Sequence, residues 1–477
     1  NFYWEGFDGS KIFTRRHYEL YNSPLGKAAQ KIEDRIKEIN EDGLMILWGV
    51  GNHGGGPSEK DINDIAALTQ KMSGEGVGIK HSTPDEYFDD VKAGNNNIIN
   101  TSLKPCNTGC LSSMALIKQK YRELENLLFA TEKIASAASA YGLIEYPQNE
   151  IREATQDLLL IQFHDILPGT SIKPVEEAGL RIAHHGIEIL TRIRARCFFA
   201  LAKSEESVTD GGYPVLVYNY HPYTVDTVIE CEFQLADQNW ADTVTEMEVF
   251  DGQGKKLYSQ TEKEYCNLNL DWRKRVVFEC SLKPMSINRF ICKPYTVQKK
   301  TVKEIPYLDF SVNDLNIKFD AQNGYISSVK KGGNELLKSP IILAVHEDTQ
   351  DAWAMQDFQY KGLGKQEGFF KLMSKEEAIK FTHIKTALNP VRVIEDGSVR
   401  TVIEALYKYK RSFAVVKYTF YKNSESIDIN INTFWNEKDK ALKLHIPANF
   451  EGQLKGETAY GIQVLSDSGI EEDMQRW

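Results

Sequence analysis

Long apolar runs are missing from this 477-residue chain, and no stretch approaches the roughly 20 consecutive apolar residues that a membrane span requires. A surplus of positive charge is missing too. With 57 Lys and Arg against 67 Asp and Glu, the formal net charge is −10, which argues against nucleic acid and anionic membranes as partners. Cysteine is sparse: Cys106, Cys110, Cys197, Cys231, Cys266, Cys280 and Cys292 are odd in number and scattered. That pattern suits reduced thiols in a cytoplasmic protein better than a disulfide framework. Cys106 and Cys110 have no second pair nearby, so a structural zinc is not expected there. Gly54-Gly55-Gly56 is not followed by Gly-Lys-Ser/Thr, which removes a nucleotide-binding loop. No Gly-x-Ser-x-Gly elbow occurs either, which removes the simplest serine hydrolase.

What is present is ordinary for a globular protein: 42% hydrophobic, 26% charged and 11% aromatic residues. A chain of this length is too long for one core and suits three or four domains. Residues 1–92 alternate between strand and helix candidates. Leu44–Trp48 reads as a buried strand, Glu59–Met72 as a helix with Ile62, Ile65 and Leu68 at helical spacing, and Val77–Ile79 as another strand. Thr83-Pro84-Asp85-Glu86 opens a further helix. Alternation of this kind is α/β logic, and a full barrel needs about 250 residues, so 1–92 is expected to be its last part.

From residue 112 the spacing turns helical throughout. Met114, Ile117, Tyr121, Leu124 and Leu128 recur at three- and four-residue steps, with Ser112 or Ser113 as N-cap and Gly142 as stop. Pro147 opens a second helix and Pro174 a third, so 93–205 is expected to be a helical bundle. Beyond residue 206 the period falls to two. Val215–Val217, Val225–Phe233, Arg275–Cys280 and Ile427–Ile431 read as strands, with turns at Asn323-Gly324, Gly332-Gly333 and Asp396-Gly397. We expect a small β-sandwich at 206–300 and a larger one at 301–477, divided near Val297–Ile305. The fold class is therefore multidomain: α/β, then all-α, then all-β.

The most informative segment is Gln162-Phe163-His164-Asp165-Ile166-Leu167-Pro168-Gly169-Thr170-Ser171. It sets a His-Asp pair where Leu-Pro-Gly ends a periodic helix. On spacing alone a histidine there is a helix C-terminal cap.

The segment resembles the zinc-histidine motif of the class II α-mannosidases, glycoside hydrolase family 38. Three other stretches agree with that family in the same order. Phe2–Ser10 resembles the strand and loop after its nucleophile, Gly49–Ser58 its Gly-rich active-site loop, and Cys110–Lys133 the first helix of its helical domain. The resemblance implies a zinc-dependent retaining α-mannosidase of bacterial type, acting on terminal α-mannosyl residues of oligosaccharides. Retention needs two acidic groups about 5 to 5.5 Å apart. It further implies one zinc ion, or another divalent metal, with His164 as a ligand and Asp165 orienting the imidazole or binding sugar. Trp4 is expected to stack on the sugar and Asp8 to accept its hydroxyls, although Trp4 also suits a barrel core and Asp8 a turn. Successive glycines at 54–56 are expected to let backbone approach the sugar closely.

The family's His-x-His-x-Asp zinc motif and Trp-x-x-Asp-x-Phe-Gly nucleophile motif do not occur in these residues, and the chain begins at Asn1 inside a strand-like run. The expectation is therefore an incomplete chain lacking the N-terminal part of the catalytic barrel, with the nucleophile elsewhere. Relatives often carry Asp before the glycine run, where this chain has Asn52 followed by His53. An amide cannot act as a general acid, so His53, another carboxylate or an engineered change at this position is expected to account for the acid/base region; Glu59 and Asp61 lie on the following helix. The alternative is a non-catalytic carbohydrate-binding protein that keeps the fold. A mannose-containing oligosaccharide is the expected partner, without nucleic acid or membrane, and a homo-oligomer is left open.

Overall fold

The computed structural model of the chain describes residues 2–17, 20–39, 43–51, 54–91, 97–101, 107–208, 211–266, 270–299, 309–348, 351–353, 365–384, 388–465, 472 and 474. It is a mixed helix-and-sheet protein with several separate sheets. The chain divides into two compact units, residues 1–104 with 453–466 and 473–477, and residues 105–452 with 467–472. Among the described residues no helix is long and apolar enough to cross a membrane.

In the first unit, β1 (Phe2–Glu5) and β2 (Lys11–Thr14) form a hairpin, and β3 (Ile98–Ile99) pairs parallel with β1. The hairpin turn closes through Gly6 N–H to Ser10 O at 2.8 Å and Gly9 N–H to Gly6 O at 3.0 Å, with Gly9 at φ +81°. Helices α1 (Ala28–Glu38) and α2 (Glu59–Ser73) bury Ala28, Ile32, Ile65, Leu68 and Met72 against one another. Ser58 caps α2 by accepting from Asp61 N–H, and Thr83 with Glu86 forms a reciprocal capping box on α3 (Pro84–Asp90).

The expected strands at Leu44–Trp48 and Val77–Ile79 do not form. Ile46, Trp48, Val77 and Ile79 do pack against the α1–α2 core, but no ladder partner faces them among the described residues. An apolar run fixes burial, whereas a strand also needs a neighbour for its N–H and C=O groups. The unit also holds a hairpin of Lys455–Thr458 with Gly461–Val464.

The second unit carries three helices that pack on one another, α4 (Ala115–Ala140), α5 (Gln148–Ile161) and α6 (Lys173–Ala202). Their shared core is Leu124, Ile134, Ala138, Ile151, Leu158, Ile161, Leu190, Ile193 and Cys197, all at helical spacing. Gly142, at φ +69°, ends α4 as expected. Neither serine caps its start. The cap position is Met114 at φ +50°, and the Ser113 hydroxyl donates instead to Gly109 O (2.8 Å) and Ala352 O (3.0 Å).

Next come β4 (Tyr213–Asn219), β5 (Val225–Asn239), β6 (Thr243–Asp251), β7 (Ser259–Glu262), β8 (Asp271–Leu282) and β9 (Ser286–Gln298). They form two three-stranded sheets, β4-β9-β6 and β5-β8-β7, around Val249, Val276, Phe278, Phe290 and Cys292. Only the start of the expected boundary at Val297–Ile305 lies within the described residues.

The remaining strands are β10 (Asp309–Val312), β11 (Leu315–Phe319), β12 (Ile326–Lys331), β13 (Asn334–Glu335), β14 (Ile342–Glu347), β15 (Gln366–Phe369), β16 (Lys371–Leu372), β17 (Val391–Asp396), β18 (Arg400–Tyr409), β19 (Ser412–Tyr421), β20 (Ile427–Phe434) and β21 (Lys440–His445). They make the sheets β10-β11-β12-β13, β15-β14-β21 and one in which β18 and β19 are central. In β19 Ser412, Ala414, Val416, Tyr418 and Phe420 are buried on alternate positions, so the period-two pattern reports the inward face directly.

A charge cluster joins these two β regions. Arg400 donates to Glu262 through Nε (2.8 Å) and Nη2 (2.6 Å), and to Glu230 through Nη2 (2.7 Å). Gln260 accepts from Val399 and Arg400 N–H at 2.8 and 2.9 Å and donates to Arg400 O at 3.1 Å. Although burial works against it, hydrogen bonds from Arg275, Tyr265 and Arg400 hold Glu230 at about 2.

Candidate active site

Helix α5 ends at Ile161, three residues before His164, so the histidine sits in a turn and not on the helix itself. That turn is knit by Ile166 and Leu167 N–H to Phe163 O (2.9 and 3.2 Å) and by Gly169 N–H to Ile166 O (3.1 Å). Gly169 adopts φ +80°, and a Cβ there would lie 2.7 Å from Ser113 O, so only glycine lets the turn dock on the start of α4.

His164 projects outward, its side chain 72% exposed, with Nε2 3.5 Å from Asp165 Oδ2 and its ring 4.2 Å from that of Phe163. Asp165 is held by Thr170, whose hydroxyl donates to Oδ1 at 3.0 Å. Beside them Gln162 Nε2 donates to Tyr121 OH (3.1 Å), which donates in turn to Glu125 (3.0 Å). Burial raises the Tyr121 phenol above its ordinary value. An exposed imidazole next to an anchored carboxylate can bind a cation or hydrogen-bond a hydroxyl-rich ligand.

Beneath the turn lies a residue that the sequence reading passed over. Lys118 of α4 donates to Leu167 O (2.8 Å), to Pro168 O (3.1 Å) and to Ser113 O. Burial pushes its ammonium down to about 8. Nothing local marks Lys118, because its three acceptors come from backbone that is distant or unrelated in pattern.

In the first unit Trp4 is 40% exposed, on a strand of a three-stranded sheet, and its indole N–H donates to Thr101 O at 3.1 Å. A half-exposed ring anchored at its edge offers a face to sugar C–H groups. Asp8 occupies the β1–β2 turn, where Oδ1 accepts from both the amide (3.0 Å) and the hydroxyl of Ser10; that hydroxyl first, then the amide, lower its carboxyl below the ordinary range.

Asn52 and His53 lie outside the described residues. Around them the loop closes on itself through Val50 N–H to Gly56 O at 3.0 Å, and a Cβ on Gly55 would come within 2.5 Å of Val50 O. Gly55 thus serves a backbone-on-backbone approach inside the loop. Asp61 is fully buried, accepting from Ala28 N–H (3.1 Å) and Gly26 N–H (3.2 Å) and from the Ser58 hydroxyl (2.5 Å). Those hydrogen bonds, Ser58 first, lower its carboxyl, and a buried carboxylate so engaged is structural, unsuited to proton transfer.

Among the described residues no three His, Cys, Asp or Glu side chains cluster as a metal site would require. His164 and Asp165 supply two donors, short of the three or four that a zinc site takes, so the described residues alone do not make up a site for the ion.

Three family models match successive parts of the chain: the glycosyl hydrolases family 38 N-terminal domain over residues 1–106, the alpha mannosidase middle domain over 106–201, and the glycosyl hydrolases family 38 C-terminal domain over 313–464. The chain is 25% identical over 493 aligned positions to alpha-mannosidase G of Dictyostelium discoideum, covering 93% of this chain and 41% of that relative. It is 26% identical over 208 positions to the human alpha-mannosidase 2C1, covering 41% of this chain and 20% of that one. The chain thus spans well under half the length of these relatives. The crystal structure of an alpha-mannosidase from Enterococcus faecalis V583 matches the fold with a TM-score of 0.71 at 14% identity, covering all of this chain and 60% of that one.

Proposed function

Since the chain belongs to glycosyl hydrolase family 38, we propose that the protein is a zinc-dependent retaining α-mannosidase that removes terminal α-mannosyl residues from oligosaccharides. The observation that carries the reading is the outward-facing His164–Asp165 turn inside the segment matched by the mannosidase middle domain. In this reading residues 1–92 end an α/β catalytic barrel, 93–205 are a helical bundle, and 206–300 and 301–477 are β-sandwich domains; the protein is placed in the cytoplasm.

His164 is proposed as one zinc ligand, and Trp4, Asp8 and Asp165 as sugar-binding groups. Zinc would act as an electrostatic anchor for sugar hydroxyls. Trp4 would stack beneath apolar sugar C–H groups, while Thr170 keeps Asp165 turned toward His164. The loop at 49–58 is proposed to shape the acid/base region, with His53 as proton carrier in place of Asn52. Asn52 also motivates the second reading, a carbohydrate-binding protein without turnover.

Hydrolysis of an aryl α-mannoside separates the two. The expected result is turnover that a chelator removes and zinc restores, and that His164→Ala abolishes together with bound zinc. Unchanged zinc content in His164→Ala would overturn the ligand assignment, and absence of hydrolysis by the complete polypeptide would favour the binding reading.

A further inference from the structure

The Lys118 ammonium is aimed at the backbone of the turn that carries His164 and Asp165. Its three N–H donors meet three carbonyl oxygens: Leu167 and Pro168 at the end of that turn, and Ser113 at the start of α4. Charge-assisted bonds of this kind are about twice as strong as neutral ones. The two segments also meet in close packing at Gly169, whose position under Ser113 leaves no room for a side chain, and through Gln162 Nε2 donating to Tyr121 OH at 3.1 Å. The turn itself transmits the anchor: Phe163 O, one residue before His164, accepts from Ile166 and Leu167, so fixing the carbonyls of 167 and 168 fixes the peptide planes around the His-Asp pair. Lys118 in turn stands on a rigid base, next to Ile117, which is fully buried, and one helical turn and a half before the buried Leu124.

We propose that Lys118 is a positioning residue of the active site, clamping the Leu167-Pro168-Gly169 end of the turn to α4 so that His164 and Asp165 are held in one orientation toward the sugar. The proposal rests on the mannosidase reading given above. Removing the clamp releases three carbonyls, two of them in the turn, without touching either side chain of the pair. Misplacement by about 1 Å at a reacting centre costs up to roughly a hundredfold in rate, and a loosened group that still contacts the sugar reduces kcat more than it alters KM.

The test uses Lys118→Met, which keeps the length and apolar stem and removes every donor, in the protein that carries this chain in full. Hydrogen exchange by mass spectrometry should show faster exchange in peptides covering 163–171, with α6 core peptides around Leu190 unchanged. Aryl α-mannoside kcat should fall about 10- to 100-fold, with KM moving far less. If Lys118→Met gives too little folded protein, Lys118→Gln carries the same comparison with two neutral donors. Unchanged exchange at 163–171, or faster exchange with unchanged kcat, would overturn the proposal. Full activity in His164→Ala would instead remove the mannosidase reading of this turn, and the exchange result would still report on the clamp.

Discussion

Replacing Arg400 with Met should be among the most damaging single changes in the β region, and the reason can be worked from the cluster itself. Arg400 makes two hydrogen bonds to Glu262, whose side chain is 0% exposed, and one to Glu230. Without it, Glu262 keeps, among the described residues, Gln260 Nε2 at 2.7 Å and a longer contact to Arg275 at 3.3 Å. Breaking a buried pair by removing one partner typically costs about 3 to 5 kcal/mol, because a buried charge is left short of compensation. Discounting for the part of the pair that water reaches near Glu230, a loss of about 3 kcal/mol is expected, or roughly 6 to 12 °C for a transition of this size. Calorimetry on the wild type and Arg400→Met would measure the shift in the transition that melts the β region. The double variant Arg400→Met with Glu262→Met removes both charges, and should recover much of the loss. A single variant within about 1 °C of the wild type, or a double variant as unstable as the sum of its singles, would refute the reasoning.

Burial pushes the nearby Glu395 carboxyl up to about 7, with Glu262 adding like-charge repulsion, so the native state favours its protonated form. Its stabilising contribution is full below the unfolded value of about 4.5 and is lost as pH rises through about 7. Glu395→Gln should therefore match the wild type at about pH 4 and be more stable than it at pH 8 to 9, by about 1 to 2 kcal/mol after solvent screening; a difference that did not grow with pH would contradict this. Gly169→Ala must place a Cβ 2.7 Å from Ser113 O at φ +80°, and is expected to cost roughly 2 to 4 kcal/mol in denaturant unfolding along with most activity; wild-type behaviour would show that the turn is free to shift. His53→Ala should reduce disaccharide turnover far more than aryl-mannoside turnover, since an activated leaving group needs no proton, whereas Asn52→Ala should affect both alike; equal losses for His53→Ala would leave that residue a loop-positioning role.

Much of this protein was legible in the residues alone, where the physics is local. The 3.6-residue spacing of Leu124, Ile151, Leu158 and Ile193 predicts helices whose apolar stripes meet, and they do. Alternation in Arg275–Cys280 and Ile427–Ile431 predicts strands, and Gly142 and Gly324 mark stops that need positive φ. The His-Asp pair was visible as a motif. Tertiary structure decided what depends on partners far away in sequence. Leu44–Trp48 and Val77–Ile79 carry a strand's composition yet pair with nothing described, because a ladder is a property of two segments. Ser113 looks like a cap, but its hydroxyl is taken by Gly109 and Ala352, and Asp61 looks like an available acid but is consumed by α1. Lys118 and Arg400 are ordinary cations in a string of letters; only folding surrounds one with three carbonyls and the other with two carboxylates. Periodicity and chain-stopping residues act over a few positions and can be read directly, whereas the partners that give a charge its role are chosen by packing across longer separations, 49 and 50 residues for Lys118 to the turn and 138 and 170 for Arg400.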